Sequence, residues 1–251
     1  MAGVKKPTPL EAFEANMQDA QHLVLLAEGL TNSRARRMRK ELRERVGDAW
    51  KVPAKYRHDL DCLESHDVLL TFKPGSRLSR ETFADHRPLL RQALVAACAA
   101  AETYLADKVM TRVSALSTSN DVATDRLKRL PMSVGDWLYI EQHYTRRRSG
   151  LHGRVIEPLI RRNASTSPTK VGDLLCLIGV ENWARQLDHH RGCKKGESVA
   201  LLDRVTNRRN KIVHTGDRQG RTRASLSINE VKSDLAGLES VVQAIEKVVG
   251  P

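Results

Sequence analysis

Apolar residues recur at three- and four-residue spacing along nearly the whole chain, and no alternating polar and apolar run is long enough to argue for a strand. The pattern predicts an all-α protein. A first helix is expected over residues 10–28, ending at Gly29. A second, strongly basic helix follows the run Ser33-Arg34-Ala35-Arg36-Arg37-Met38-Arg39-Lys40 to about Val46, and a third covers residues 56–70. Lys73-Pro74-Gly75-Ser76 then interrupts the periodicity. It divides the chain into an N-terminal helical extension, residues 1–75, and a main domain, residues 76–251.

The main domain begins with the most apolar stretch of the chain, residues 89–116, in which Ala93 to Ala101 leave no polar face. A helix apolar on nearly all sides belongs at the centre of a bundle. Further helices are expected over residues 121–130, 134–147, 154–162 and 168–177, the last with Ser167 as cap and Pro168 at its first position. Residues 181–188 and 198–214 come next, the latter closed by Thr215-Gly216-Asp217. The final helix runs to Val249 from the capping box Ser227-Ile228-Asn229-Glu230.

Charge changes the picture. Lys and Arg number 42 against 30 Asp and Glu, a formal net charge of +12, which concentrates polyanions around the protein and makes nucleic acid the first partner to consider. Aromatic residues are only 4% of the chain, which argues against a base-stacking platform of the RRM or OB type and for mainly electrostatic recognition. Cys62, Cys98, Cys176 and Cys193 form no CxxC pair, and Cys98 and Cys176 lie in apolar runs, so reduced thiols are expected. The opening MAGVKKPTPLEAFEANMQDAQ lacks the apolar core of a signal peptide, and no segment approaches the roughly 20 apolar residues that span a bilayer. The expectation is a cytoplasmic protein with no membrane partner.

The candidate chemistry sits on the helix SVALLDRVTNRRNKIVH, residues 198–214. Wound at about 100° per residue, it gathers Leu201, Leu202, Val205, Ile212 and Val213 into an apolar stripe with Arg209 in its midst. A guanidinium there needs a partner, because an unpaired buried charge costs several kcal/mol. Glu102, directly after Ala99-Ala100-Ala101 in the most apolar helix, poses the same problem, and the simplest resolution pairs the two. Asn210 and His214 are four apart and so are neighbours on the adjoining face. A cation, an amide and an imidazole near one helix end suit metal-free RNA cleavage: the imidazole moves protons near neutral pH and the arginine steadies the phosphate. The plainer alternative is a helix C-terminus carrying basic residues that suit its dipole.

The segment LLDRVTNRRNKIVHTGDR resembles the R-x(4-6)-H signature of HEPN domains, and its RRNxIVHxGD wording is most similar to the RiboL-PSP-HEPN branch. LVAACAAAETYLADKV, with Glu102, looks like the first core helix of that branch, and LLCLIGVENWARQL precedes the motif. The resemblance covers residues 89–249. It implies a HEPN-like helical bundle that forms a homodimer with two motifs facing a shared cleft. It further implies a metal-independent endoribonuclease leaving 2',3'-cyclic phosphate, of the kind found in toxin, phage-defence and stress systems, or else an inactive binding module. On these terms His214 is the acid/base, Arg209 the phosphate contact, Asn210 a positioning residue and Glu102 the orienting partner of Arg209. No cofactor is implied. HEPN toxins paired with nucleotidyltransferase antitoxins usually carry a tyrosine two residues after the histidine, where this chain has Gly216, so control by modification of that tyrosine is not supported.

Around the motif, Arg208 and Lys211 are candidate RNA contacts, as are Arg218, Arg221 and Arg223 in the loop 218–223, read as flexible through Gly220. His143 and Tyr144 beside Arg146-Arg147-Arg148 offer a second basic surface, although a charge run at a helix end is usually only solvated. His189, His190 and Cys193 lack a fourth spaced ligand for a metal. Besides RNA and a second copy of the chain, a regulatory partner protein is a candidate binder. A catalytically idle dimer that binds nucleic acid or protein is the main rival reading, and no helix-turn-helix pair supports a DNA-binding regulator.

Overall fold

The computed structural model describes residues 7–32, 40–62, 85–118 and 125–250. Over them the protein is all-α apart from one short β-ribbon. Helix α1 (Pro9–Asn32), helix α2 (Lys40–Ala49) and a 3₁₀ segment (Ala54–Cys62) precede the long helix α3 (Arg87–Thr118). There follow the single turn α4 (Asp125–Lys128), α5 (Val134–His143), α6 (Arg147–Leu151), a π turn (His152–Ile156), α7 (Glu157–Asn163), α8 (Pro168–Leu177), α9 (Trp183–Arg191) and α10 (Glu197–Thr215). The ribbon of β1 (Arg218–Gln219) and β2 (Thr222–Arg223) leads into α11 (Ile228–Val249). The expected break at residues 73–76 lies outside the described residues, as do residues 33–39 of the basic run and the second half of the helix expected over 56–70.

Helix α3 is central because it has little polar surface to turn outward. Leu90, Ala93, Leu94, Ala97, Cys98, Ala101, Tyr104, Leu105, Val109 and Val113 are all buried. Its alanines allow neighbouring helices to approach closely. Helices α1, α7, α8, α10 and α11 pack around it. On α1 the buried Phe13, Met17, Ala20, Val24 and Ala27 repeat at three- and four-residue spacing, so this first helix belongs to the same hydrophobic core as α3 and α11. Full burial of each large side chain contributes about 1.5–3 kcal/mol. Two polar side chains inside this layer share one carboxylate: the Tyr104 hydroxyl donates to Glu246 Oε2 at 2.6 Å, and the buried Lys108 reaches Glu246 Oε1 at 2.6 Å.

Three local features depart from the sequence expectation. The helix expected over 134–147 stops at His143, and α6 folds back so tightly that a Cβ on Gly150 would meet Ile140 Cγ2 at 2.8 Å and Tyr144 Cγ at 2.9 Å. The first residues of the helix expected over 154–162 fall in a π turn, His152–Ile156, in which the Glu157 N–H bonds to the His152 carbonyl, immediately before Pro158, which has no N–H to give. The loop 218–223 is a hairpin, with Arg218 opposite Arg223 and Gln219 opposite Thr222. Gly220 at φ +62° makes the tight turn instead of loosening the chain. Among the described residues no helix is long and apolar enough to cross a membrane.

Candidate functional site

Both ends of α10 are fixed from outside its own side chains. Gly196 precedes it and cannot cap it, and the buried Asp188 of α9 takes that role, with Oδ2 accepting from Gly196 N at 2.6 Å and Oδ1 from Ser198 N at 2.9 Å. Burial acts to raise the Asp188 carboxyl, but hydrogen bonds from Ser198, Gly196 and Cys193 outweigh it and hold its pKa below the usual carboxylate value. At the far end Gly216 adopts φ +61°, its N–H bonds to the Ile212 carbonyl, and the Asp217 N–H bonds to the Lys211 carbonyl at 2.9 Å. The 5→1 bond from a left-handed Gly216 is an αL-type stop, followed by a second left-handed residue, Asp217 at φ +61°, and it places the last turn of α10 against the hairpin.

Within that frame the ion pair expected from the sequence forms. Arg209 Nη2 lies 2.8 Å from Glu102 Oε2 across the α3–α10 packing, while Arg209 Nη1 donates to Asn210 Oδ1 at 3.0 Å. The other Glu102 oxygen accepts the Thr166 N–H at 3.3 Å, and the buried Thr206 hydroxyl donates to Thr166 Oγ1 at 2.9 Å. Glu102 therefore joins α10 to the loop before α8 as well as orienting the guanidinium. The Arg209 side chain remains 26% exposed, and these two bonds use only part of its five-donor fork, so an anion has access to the rest. One turn beyond Asn210, His214 is exposed, and its ring has no hydrogen-bond partner among the described residues. Beneath the pair, burial and the Glu102 carboxylate push the Cys98 thiol up to about 12, against the opposing pull of Arg209, so this cysteine stays a neutral packing group.

The expected phosphate contacts divide into two groups. Lys211, Arg218, Arg221 and Arg223 are exposed and in no ion pair among the described residues. Arg208 instead turns inward, and its Nη2 reaches Asp217 Oδ2 at 2.8 Å and the Ser225 carbonyl at 2.7 Å. Sequence reasoning missed the partner that shares this carboxylate. Arg91 of α3, 3% exposed, places Nε 3.0 Å from Asp217 Oδ2 and donates through Nη2 to the Ala224 carbonyl at 2.8 Å. Asp217 thus binds α3, α10 and the hairpin together, and its own carbonyl accepts from Ala224 N at 2.8 Å. The available signal was Arg91 itself, a cation inside the apolar helix that raises the same difficulty as Glu102.

Val213, placed by periodicity in the apolar stripe, is 53% exposed, because the last turn of α10 has passed beyond the core and only Ile212 still faces it. His189 and His190 stack edge-on with centroids 5.5 Å apart, while the Cys193 thiol turns to Asp188 Oδ1 at 3.5 Å. Among the described residues no group of three or more His, Cys, Asp or Glu side chains is arranged to hold a metal ion. No family model, curated protein or solved structure matches the chain.

Proposed function

We propose that this protein is a metal-independent endoribonuclease of HEPN type, working in the cytoplasm as an effector in phage defence, toxin activity or stress response. The observation that carries the reading is the Glu102–Arg209–Asn210 chain of contacts. It holds a partly open guanidinium on the helix that carries the exposed His214 five residues further on, and the exposed, unpaired Lys211, Arg218, Arg221 and Arg223 belong to the same helix end and the hairpin after it. In the reaction the 2'-oxygen of a ribose attacks the adjacent phosphorus and the P–O5' bond breaks, leaving a 2',3'-cyclic phosphate and a 5'-hydroxyl. A base removes the 2'-proton and an acid supplies one to the departing 5'-oxygen. Imidazole suits either task near neutral pH, and Arg209 stabilises the charge that builds on the phosphoryl oxygens.

Each motif supplies one histidine, whereas the reaction gains from both an acid and a base. A two-fold homodimer would provide the second. Incubation of the purified protein with total RNA, with and without EDTA, followed by mapping of the ends, tests the activity. Cleavage that persists with EDTA and leaves cyclic phosphate supports it, and chelator-sensitive cleavage refutes it. Sedimentation at micromolar concentration, with and without RNA, tests the dimer.

One observation favours the rival reading, an idle dimer that binds nucleic acid or a regulatory protein: nothing in the described single chain orients the His214 ring. RNA binding without cleavage by a verified dimer would establish that reading in place of the enzyme.

A further inference from the structure

Helix α5 buries a single residue, Ile140, and turns the rest of its apolar and aromatic side chains to solvent. Trp137 is 43% exposed, Tyr139 40% and Tyr144 37%. In a chain with so few aromatics, three exposed rings between positions 137 and 144 are a local concentration that composition hides. The rings are also arranged. His143 stacks on Tyr139 with centroids 4.1 Å apart and planes within 15°, Tyr144 meets Tyr139 edge-on at 6.4 Å, Arg154 lies over Tyr139 at 4.7 Å, and Arg147 stands 5.9 Å from the Trp137 ring. Arg147 and Arg154 are neutralised by Glu141 and Asp136. Arg146 and Arg148, in the same turn as Tyr144, are exposed and in no ion pair among the described residues.

We infer that this face, the C-terminal half of α5 with the turn into α6, is a binding surface for single-stranded RNA, distinct from the Arg209–His214 site and serving to hold the strand during cleavage. The inference rests on the proposed ribonuclease reading for its choice of RNA. The charge selects the occupant. Unpaired arginines beside the exposed Trp137 and Tyr144 rings, at the end of a stack already begun by Tyr139, His143 and Arg154, complement a strand that offers phosphates and unstacked bases in alternation. A two-fold contact between copies of this face would bring two uncompensated cations from each copy, Arg146 and Arg148, into one interface, and this excess of like charge opposes association. A duplex keeps its bases stacked internally and offers only the phosphates, so the surface discriminates single strands from double.

The test uses the full chain and a fluorescein-labelled 2'-deoxy oligonucleotide, which offers bases and phosphates but has no 2'-hydroxyl to react. Anisotropy titrations compare the wild type with Trp137→Ala, Tyr139→Ala, Trp137→Phe and the pair Arg146→Gln/Arg148→Gln, with circular dichroism verifying each fold. Each alanine variant should lose about tenfold in affinity for the single strand, with far less change for a duplex. Trp137→Phe should retain most of the affinity. The glutamine pair should flatten the salt dependence. The strand should quench wild-type tryptophan fluorescence more than that of Trp137→Phe, which keeps Trp50 and Trp183. Unchanged affinity in both alanine variants, or equal losses for single strand and duplex, overturns the inference. So does a wild-type dimer that dissociates on Trp137→Ala, which would make the face a protein interface. Because the probe cannot be cleaved, absence of stacking with RNA cleavage intact refutes this inference alone, whereas stacking without cleavage refutes the nuclease reading and the surface's service to cleavage but leaves the single-strand binding surface standing.

Discussion

Glu102 on α3 and Arg209 on α10 meet at 2.8 Å although 107 positions separate them in the chain. Removing one partner leaves the other charged and largely buried. Glu102→Ala should therefore cost about 1–3 kcal/mol in urea unfolding, since it strands both Arg209 and the Thr166 N–H. The double variant Glu102→Ala/Arg209→Ala should cost less than the sum of the two single changes. Strict additivity would mean that the pair contributes no coupling.

His214→Ala should lower RNA cleavage by about 10²–10⁴-fold while leaving RNA binding nearly intact, because proton transfer needs an imidazole at one place. A gel assay on a labelled RNA, run beside a binding titration, separates the two effects. Wild-type cleavage in this variant would remove His214 from the mechanism.

Phosphate attraction is spread over many cations, each contributing to counterion release. Neutralising Arg218, Arg221 and Arg223 together should weaken binding and make the log–log salt slope shallower by about 2, at roughly 0.7 per phosphate contact on a single strand. An unchanged slope would mean that the hairpin does not touch the backbone.

Asp217 holds Arg91 and Arg208 through one carboxylate oxygen while almost fully buried, with 1% of its side chain exposed. Asp217→Asn removes the charge that both guanidiniums face and should cost about 3–5 kcal/mol. Protease cleavage in the 218–223 hairpin should also become faster, because the clamp that joins it to α3 is lost. A variant as stable as the wild type would show that the network is dispensable.

Asp188 gives a pH signature. Its folded pKa lies below the ordinary value, so its contribution is complete above the unfolded pKa of about 4 and is lost as pH falls through the lower folded value. Asp188→Asn replaces one accepting oxygen with a donor facing an N–H, and should cost about 1–2 kcal/mol at pH 7. Its stability should also fall less steeply below about pH 4 than that of the wild type. Parallel acid limbs for the two proteins would refute this role.

The sequence by itself determined whatever depends on short-range chemistry. Helical periodicity identified α3 as the central helix, the Ser227/Glu230 capping box opened α11, Pro168 opened α8 and Gly216 closed α10. It also led to the Glu102–Arg209 pair, because a charge on an apolar face demands a partner and there were few candidates. Tertiary structure decided the rest. Asp188 caps a neighbouring helix, Asp217 joins Arg91 and Arg208, and α5 is left uncovered with its rings outward. Periodicity reports which face of a helix is apolar, but not which element will cover it or which carboxylate will reach a given cation. The strands of the 218–223 hairpin, two residues each, are too short to imprint a period at all. Those outcomes depend on contacts between distant parts of the chain, which exist only once the core has brought the helices together.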